Sequence, residues 1–312
     1  MSREQRTKLD AMLRQPGPEG PQSVEEIRAG FRAMMATMIV PDGIRTTATT
    51  LGPRPALLVE PVDGPRAGTI LYFHGGGNVF GSPETALSLT GNLVARTGVK
   101  ALSLDYRLAP EHPFPAAIED ALSAYRALLD RGEDPSAIVF AGDSAGGGLT
   151  VTTCLAARDA GLPMPAAIVA FSPGLDATRT GESMDTKAGI DPFFTRESLD
   201  HTGGMYLAGQ DPHQPLLSPA VLADLTGFPP MLLQAGTNEV LLDDSTRMAA
   251  RARAAGVDVV LDITADVPHV FQSFAGGLDE ADDALDRAAL FLTQHLSRPE
   301  RLTSYETPAP PC

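Results

Sequence analysis

Cysteine is nearly absent from this chain, with Cys154 in an apolar helical segment and Cys312 at the last position as the only two. So few thiols, so placed, exclude a disulfide framework and give a redox role no support. Basic residues are also scarce, 24 against 39 acidic ones, for a net charge of −15. The resulting negative field repels phosphate backbones and anionic lipid surfaces, so nucleic acid is not an expected partner. No apolar run approaches the roughly 20 residues of a membrane span. The opening Met1-Ser2-Arg3-Glu4-Gln5-Arg6 leads into a charged amphipathic segment rather than a signal-type apolar region, and a cytoplasmic protein is expected. Internal repeats are missing too. What the chain does have is 43% hydrophobic residues, ample for a large packed core.

The pattern predicts an α/β protein. Two N-terminal helices, Arg3 to Leu13 and Ser23 to Met38, are separated by the breaker-rich 15–21, and Ser23 with Glu26 has the spacing of a capping box. Strand-like segments follow at Thr46–Thr50, Ala56–Glu60, Thr69–Phe73, Lys100–Leu104, Ala137–Ala141, Ala166–Phe171, Met231–Ala235 and Val257–Ile263. The first two read as a hairpin. Helices at Pro83–Arg96, Pro115–Arg131, Leu149–Ala160, Ser245–Ala255 and Glu280–Leu296 are expected to cross between the others, giving an eight-stranded, mostly parallel sheet flanked by helices. About sixty residues separate the sixth and seventh strands, too many for an ordinary connection. Residues 1–45 and an insertion at about 176–220 are therefore expected to form a helical cap on a core spanning 46–296, with an unstructured tail at 297–312.

Gly142-Asp143-Ser144-Ala145-Gly146 lies between a strand and a helix, and glycines on both sides of Ser144 allow the tight corner that exposes a nucleophilic hydroxyl. A second glycine loop, His74-Gly75-Gly76-Gly77, follows the third strand. It fits neither a phosphate loop, which needs lysine where Ser82-Pro83 stands, nor a dinucleotide fingerprint, which needs glycine at Phe80. Backbone N–H groups converging on an oxyanion are the better reading, with the N–H of Ala145 as a further donor. Chain order leaves four histidines after the serine, and His269 is the one in a loop just past the last strand. The acid is expected in the loop after Met231–Ala235. There Glu239 is nearest the strand end, Asp243 is the alternative, and Asp243 and Asp244 also suit a helix cap.

With these motifs, together with Asp105-Tyr106-Arg107-Leu108-Ala109-Pro110-Glu111, Phe114-Pro115-Ala116-Ala117 and Asp191-Pro192, the chain resembles the bacterial hormone-sensitive-lipase-like esterases, a branch of the α/β-hydrolase fold. The resemblance implies Ser144 as nucleophile, His269 as base and Gly76, Gly77 and Ala145 as oxyanion donors. Many members of that family carry aspartate where Glu239 stands. The expected activity is hydrolysis of small to medium apolar esters, or lactones, through an acyl-enzyme, with no cofactor or metal. The alternatives are removal of an N-acetyl group by the same residues, or a binding protein without catalysis. Phe80, Met34, Met38, Phe193, Phe194, Met205 and Tyr206 are candidates for the pocket wall. Arg107 and His112 are expected to hold a loop and Asp143 to be a structural anchor. A homo-oligomer is compatible with all of this.

Overall fold

Segments apolar at every position make strands covered on both faces, and β5 (Ile138–Asp143), β6 (Ala167–Phe171) and β7 (Met231–Gly236) are buried along their whole length. A computed structural model of the chain describes residues 2–15 and 22–296. The other strands are β1 (Ile44–Leu51), β2 (Arg54–Pro61), β3 (Arg66–Phe73), β4 (Val99–Leu104) and β8 (Val259–Thr264). All eight join one sheet in the order β1-β2-β4-β3-β5-β6-β7-β8. From β4 through β8 every neighbouring pair is parallel, whereas β2 runs antiparallel to both β1 and β4.

Alternate residues feed opposite cores. Leu71, Phe73, Phe140, Ile168 and Leu233 pack with α4 (Ala116–Asp130), α5 (Ala145–Asp159) and α9 (Leu242–Ala254). Ile70, Tyr72, Val139, Val169 and Leu232 pack with α3 (Leu87–Thr97) and α10 (Asp279–His295). Because β3 and β5 to β8 run the same way, the loops that follow them gather at one edge of the sheet. Ligand sites of open α/β sheets form at that edge.

Several expectations need correction. The link from β2 to β3 is a short turn with no helix, and β2 reaches past β3 to pair with β4. Helix α5 begins at Ala145 rather than Leu149, so Gly146, Gly147 and Gly148 are helical. These glycines are poor helix formers, but close packing requires them. A Cβ on Gly146 would lie 2.0 Å from the Phe73 carbonyl oxygen, and one on Gly148 would lie 2.3 Å from that of Gly174.

Before the sheet come α1 (Ser2–Leu13) and α2 (Val24–Met35), the latter capped by the reciprocal Ser23–Glu26 pair. Helix α2 ends at Met35, where the Met34 carbonyl accepts the N–H and the hydroxyl of Thr37 and the Met38 N–H turns to Met35 O in place of the i−4 carbonyl. The long insertion carries α6 (Ser183–Thr186), α7 (Arg196–Leu207) and α8 (Pro219–Leu222). The proposed tail 297–312, most of the 15–21 breaker and Cys312 lie outside the described residues, and Cys154 is a buried free thiol.

Candidate active site

Ser144 occupies the corner between β5 and α5 with φ +53° and ψ −121°, a left-handed conformation that costs a non-glycine residue about 1–3 kcal/mol. Its surroundings dictate that corner. The Ser144 N–H donates to Phe171 O at 2.8 Å, and its carbonyl accepts from the N–H groups of Gly148 and Gly174. A Cβ at Gly142 would sit 2.4 Å from Gly146 O, so the reversal closes only around glycine.

Three side chains distant in sequence meet above this corner. His269 Nε2 is 2.9 Å from Ser144 Oγ, and Nδ1 is 2.7 Å from Glu239 Oε2. An ionised carboxylate only accepts, so Nδ1 carries the proton and Nε2 is left to accept from the serine hydroxyl. Glu239 is fully buried, and its other oxygen accepts from the Gly236 N–H at 2.7 Å and the Ser172 hydroxyl at 2.9 Å. The His269 pKa is raised above its ordinary value. Burial alone would lower it, but the hydrogen bond and charge of Glu239, with the charges of Asp191 and Asp143, outweigh that.

Ser172 is missed by motif reasoning. It follows β6 at φ +44°, gives its proton to Glu239 and accepts the Val270 N–H at 3.0 Å, so one hydroxyl ties the glutamate to the residue after His269. A polar residue directly after a buried strand, at the edge where the other loops gather, was the available signal. The competing carboxylates lie elsewhere. Asp244 accepts from the N–H groups of Leu175 and Asp176, Asp243 accepts from that of Ser183, and neither caps α9. Both therefore hold the start of the insertion, which corrects the cap reading and leaves Asp243 away from the imidazole.

The glycine loop faces the serine across the cavity. Gly76 has φ +115° and Gly77 φ +61°, and a Cβ at Gly76 would fall 2.1 Å from Phe80 O. Among the described residues, the N–H groups of Gly76, Gly77 and Ala145 are given to no acceptor, and all three residues line the cavity. His74 underlies the loop: Tyr106 stacks on its ring at 4.1 Å and donates to its carbonyl, and burial lowers its pKa to about 4, so it is neutral. Asp143 accepts from the Tyr72 hydroxyl at 2.7 Å, and burial raises its pKa to about 6. Arg107 pairs with Asp120, whereas His112 is exposed and contributes only its backbone N–H. A second clamp was not anticipated: Arg28 of α2 binds Val79 O, Ala109 O and both oxygens of Glu111, lowering the pKa of that glutamate to about 2.

The cavity measures about 480 Å³, and Met34, Phe80, Phe193, Phe194 and Tyr206 line it with the serine and histidine. Met38 and Met205 do not. Met38 falls beyond the end of α2, and Met205, on the edge of the same α7 stripe as Ser198 and Thr202, packs against the core instead. Phe31 extends the wall by meeting Phe80 edge to face at 4.9 Å.

Residues 70–273 match the family model described as the alpha/beta hydrolase fold. The chain belongs to that family. Solved relatives place this hydrolase in its bacterial hormone-sensitive-lipase branch. A crystal structure described as an esterase from that family superposes with a TM-score of 0.90 at 41% identity, covering 94% of this chain and 99% of the other. The esterase EstE5, in a crystal soaked with p-nitrophenyl butyrate, gives 0.89 at 39%, covering 94% and 98%. An acetyl-hydrolase of Streptomyces hygroscopicus is 43% identical over 72% of this hydrolase and 75% of its own length. An esterase of Acinetobacter venetianus is 37% identical over 72% and 74%. The hydrolase is thus an enzyme of the esterase class.

Proposed function

We propose that the chain is a serine carboxylesterase acting through an acyl-enzyme on small to medium apolar esters. The observation that carries this reading is the unbroken line from Glu239 through His269 to the Ser144 hydroxyl, with bonds of 2.7 and 2.9 Å. His269 takes the Ser144 proton as Oγ attacks the ester carbonyl, and Glu239 holds the imidazole in the accepting tautomer and balances its charge. The N–H groups of Gly76, Gly77 and Ala145 receive the tetrahedral oxyanion. Protonated His269 then gives its proton to the departing alcohol, and as a neutral base it activates the water that frees the acid. Helix α2 and residues 176–220 act as a cap, since Met34 from one and Phe193, Phe194 and Tyr206 from the other border the cavity. The apolar wall favours acyl and alcohol groups without charge, and lactones of matching size belong to the proposed range.

Hydrolysis of p-nitrophenyl butyrate tests the reading. The wild-type protein turns the ester over, and Ser144→Ala loses about 10⁴-fold or more in kcat; full activity in that variant would remove the nucleophile. The histidine must be neutral to accept a proton and its pKa is raised, so kcat/KM should climb with pH through a midpoint above 6.5. A midpoint below that value contradicts the geometry.

A further inference from the structure

Asp191 lies in the insertion, 49 residues before Val240, yet its side chain touches both walls of the site. It is only 6% exposed and accepts three backbone N–H groups. Oδ1 takes those of Phe193 at 2.8 Å and Phe194 at 3.1 Å, and Oδ2 takes that of Val240 at 2.8 Å. Phe193 and Phe194 form part of the cavity wall, and the Phe194 ring stands edge-on to the His269 imidazole with centroids 4.9 Å apart. Val240 is the neighbour of Glu239. A single carboxylate therefore joins the segment that packs on the imidazole to the turn that supplies its hydrogen-bond partner.

We propose that Asp191 is a positioning residue for the Ser144–His269–Glu239 relay, locking Glu239 and the Phe194 wall to each other so that the imidazole is held from two sides. This rests on the esterase reading above. The residue type follows from the donor count: three N–H groups converge on two oxygens, and an amide would turn an NH₂ toward at least one of them. Charge adds a second effect. The ionised groups acting on His269 are Glu239 after β7, Asp191 in the insertion and Asp143 at the end of β5, all acidic, so each favours the imidazolium formed during turnover. Burial raises the pKa of Asp191 itself, while the Val240 N–H, the charge of His269 and the other two N–H groups favour its anionic form.

The test compares Asp191→Asn and Asp191→Glu with wild type, using p-nitrophenyl butyrate kinetics normalised to titrated active sites and the NMR titration of the His269 ring, assigned with His269→Gln. Asp191→Asn should lower kcat about 10- to 100-fold, as expected for an ångström-scale misplacement, with a smaller change in KM. Its kcat/KM acid limb and its His269 titration should both move to lower pH. Asp191→Glu keeps the charge but overreaches, so kcat should fall while the titration stays near that of wild type. Unchanged kcat and unchanged titration in Asp191→Asn, or a loss confined to the fraction of active sites, would overturn the proposal. Where Asp191→Asn does not fold, wild-type kcat in Asp191→Glu does the same. The NMR readout does not depend on turnover: a protein inert toward esters whose His269 titration still shifts in Asp191→Asn would sink the esterase reading and leave the Asp191 assignment standing.

Discussion

The two halves of the site are made of different material. On the serine side the geometry is set by backbone: Gly142, Gly146 and Gly76 each stand where a Cβ would come within 2.4 Å of a carbonyl oxygen, and the three N–H groups facing the cavity are main-chain donors. On the glutamate side it is set by side chains, with Ser172 and Asp191 tying Glu239 and its neighbours to the loops around His269. The difference teaches that the first half can change only by moving strands and helices. The second can be loosened one hydrogen bond at a time.

Four substitutions sharpen or break that contrast. Glu239→Gln should cost about 10³- to 10⁴-fold in kcat, because the amide no longer enforces the tautomer or balances the imidazolium, while Asp243→Asn stays within a few-fold. Steady-state kinetics decide between them, and a larger loss at Asp243 would reverse the assignment of the acid. Gly146→Ala presses a methyl against the Phe73 and His74 carbonyls. It should lower stability by about 1–3 kcal/mol and kcat by about 10²-fold through displacement of the serine. A thermal melt and initial rates check both, and an unperturbed variant would show that the backbone half is not so rigid. Ser172→Ala removes one donor to Glu239 and leaves the Val270 N–H without a partner. A loss of about 1–1.5 kcal/mol, near tenfold in kcat, is expected, and wild-type kinetics would mean the hydroxyl does not steady the acid.

The same contrast explains what could be read from the residues. Strands β5, β6 and β7 are visible because they are covered on both faces and so almost wholly apolar at consecutive positions, as in Ile138 to Ala141, whereas the exposed β1 shows only through its β-branched residues and the turn after it. Glycine motifs are visible for a related reason, since no other residue fits where two backbones nearly touch. The antiparallel pairing of β2 with β4 is not, because the pattern of β2 is equally satisfied beside β3. The paired carboxylates Asp243 and Asp244 look like a helix cap because both choices place acid at a helix start. Only the approach of 175–183 shows what they bind. Met38 and Met205 fail as wall residues for want of phase: α2 ends three residues before Met38, and one position along α7 separates Met205, packed against the core, from Tyr206 in the cavity wall. Ser172 and Asp191 carry no periodicity at all. Their roles exist only once distant segments have been brought together.

The central claim is a covalent one, so the most direct measurement is mass spectrometry of the protein quenched during turnover of p-nitrophenyl butyrate or treated with a fluorophosphonate. A single acyl or phosphonyl adduct is expected on the peptide bearing Ser144, absent from Ser144→Ala and formed far more slowly in His269→Gln. Ester turnover with the adduct on another residue, or an adduct equally abundant in Ser144→Ala, would contradict it.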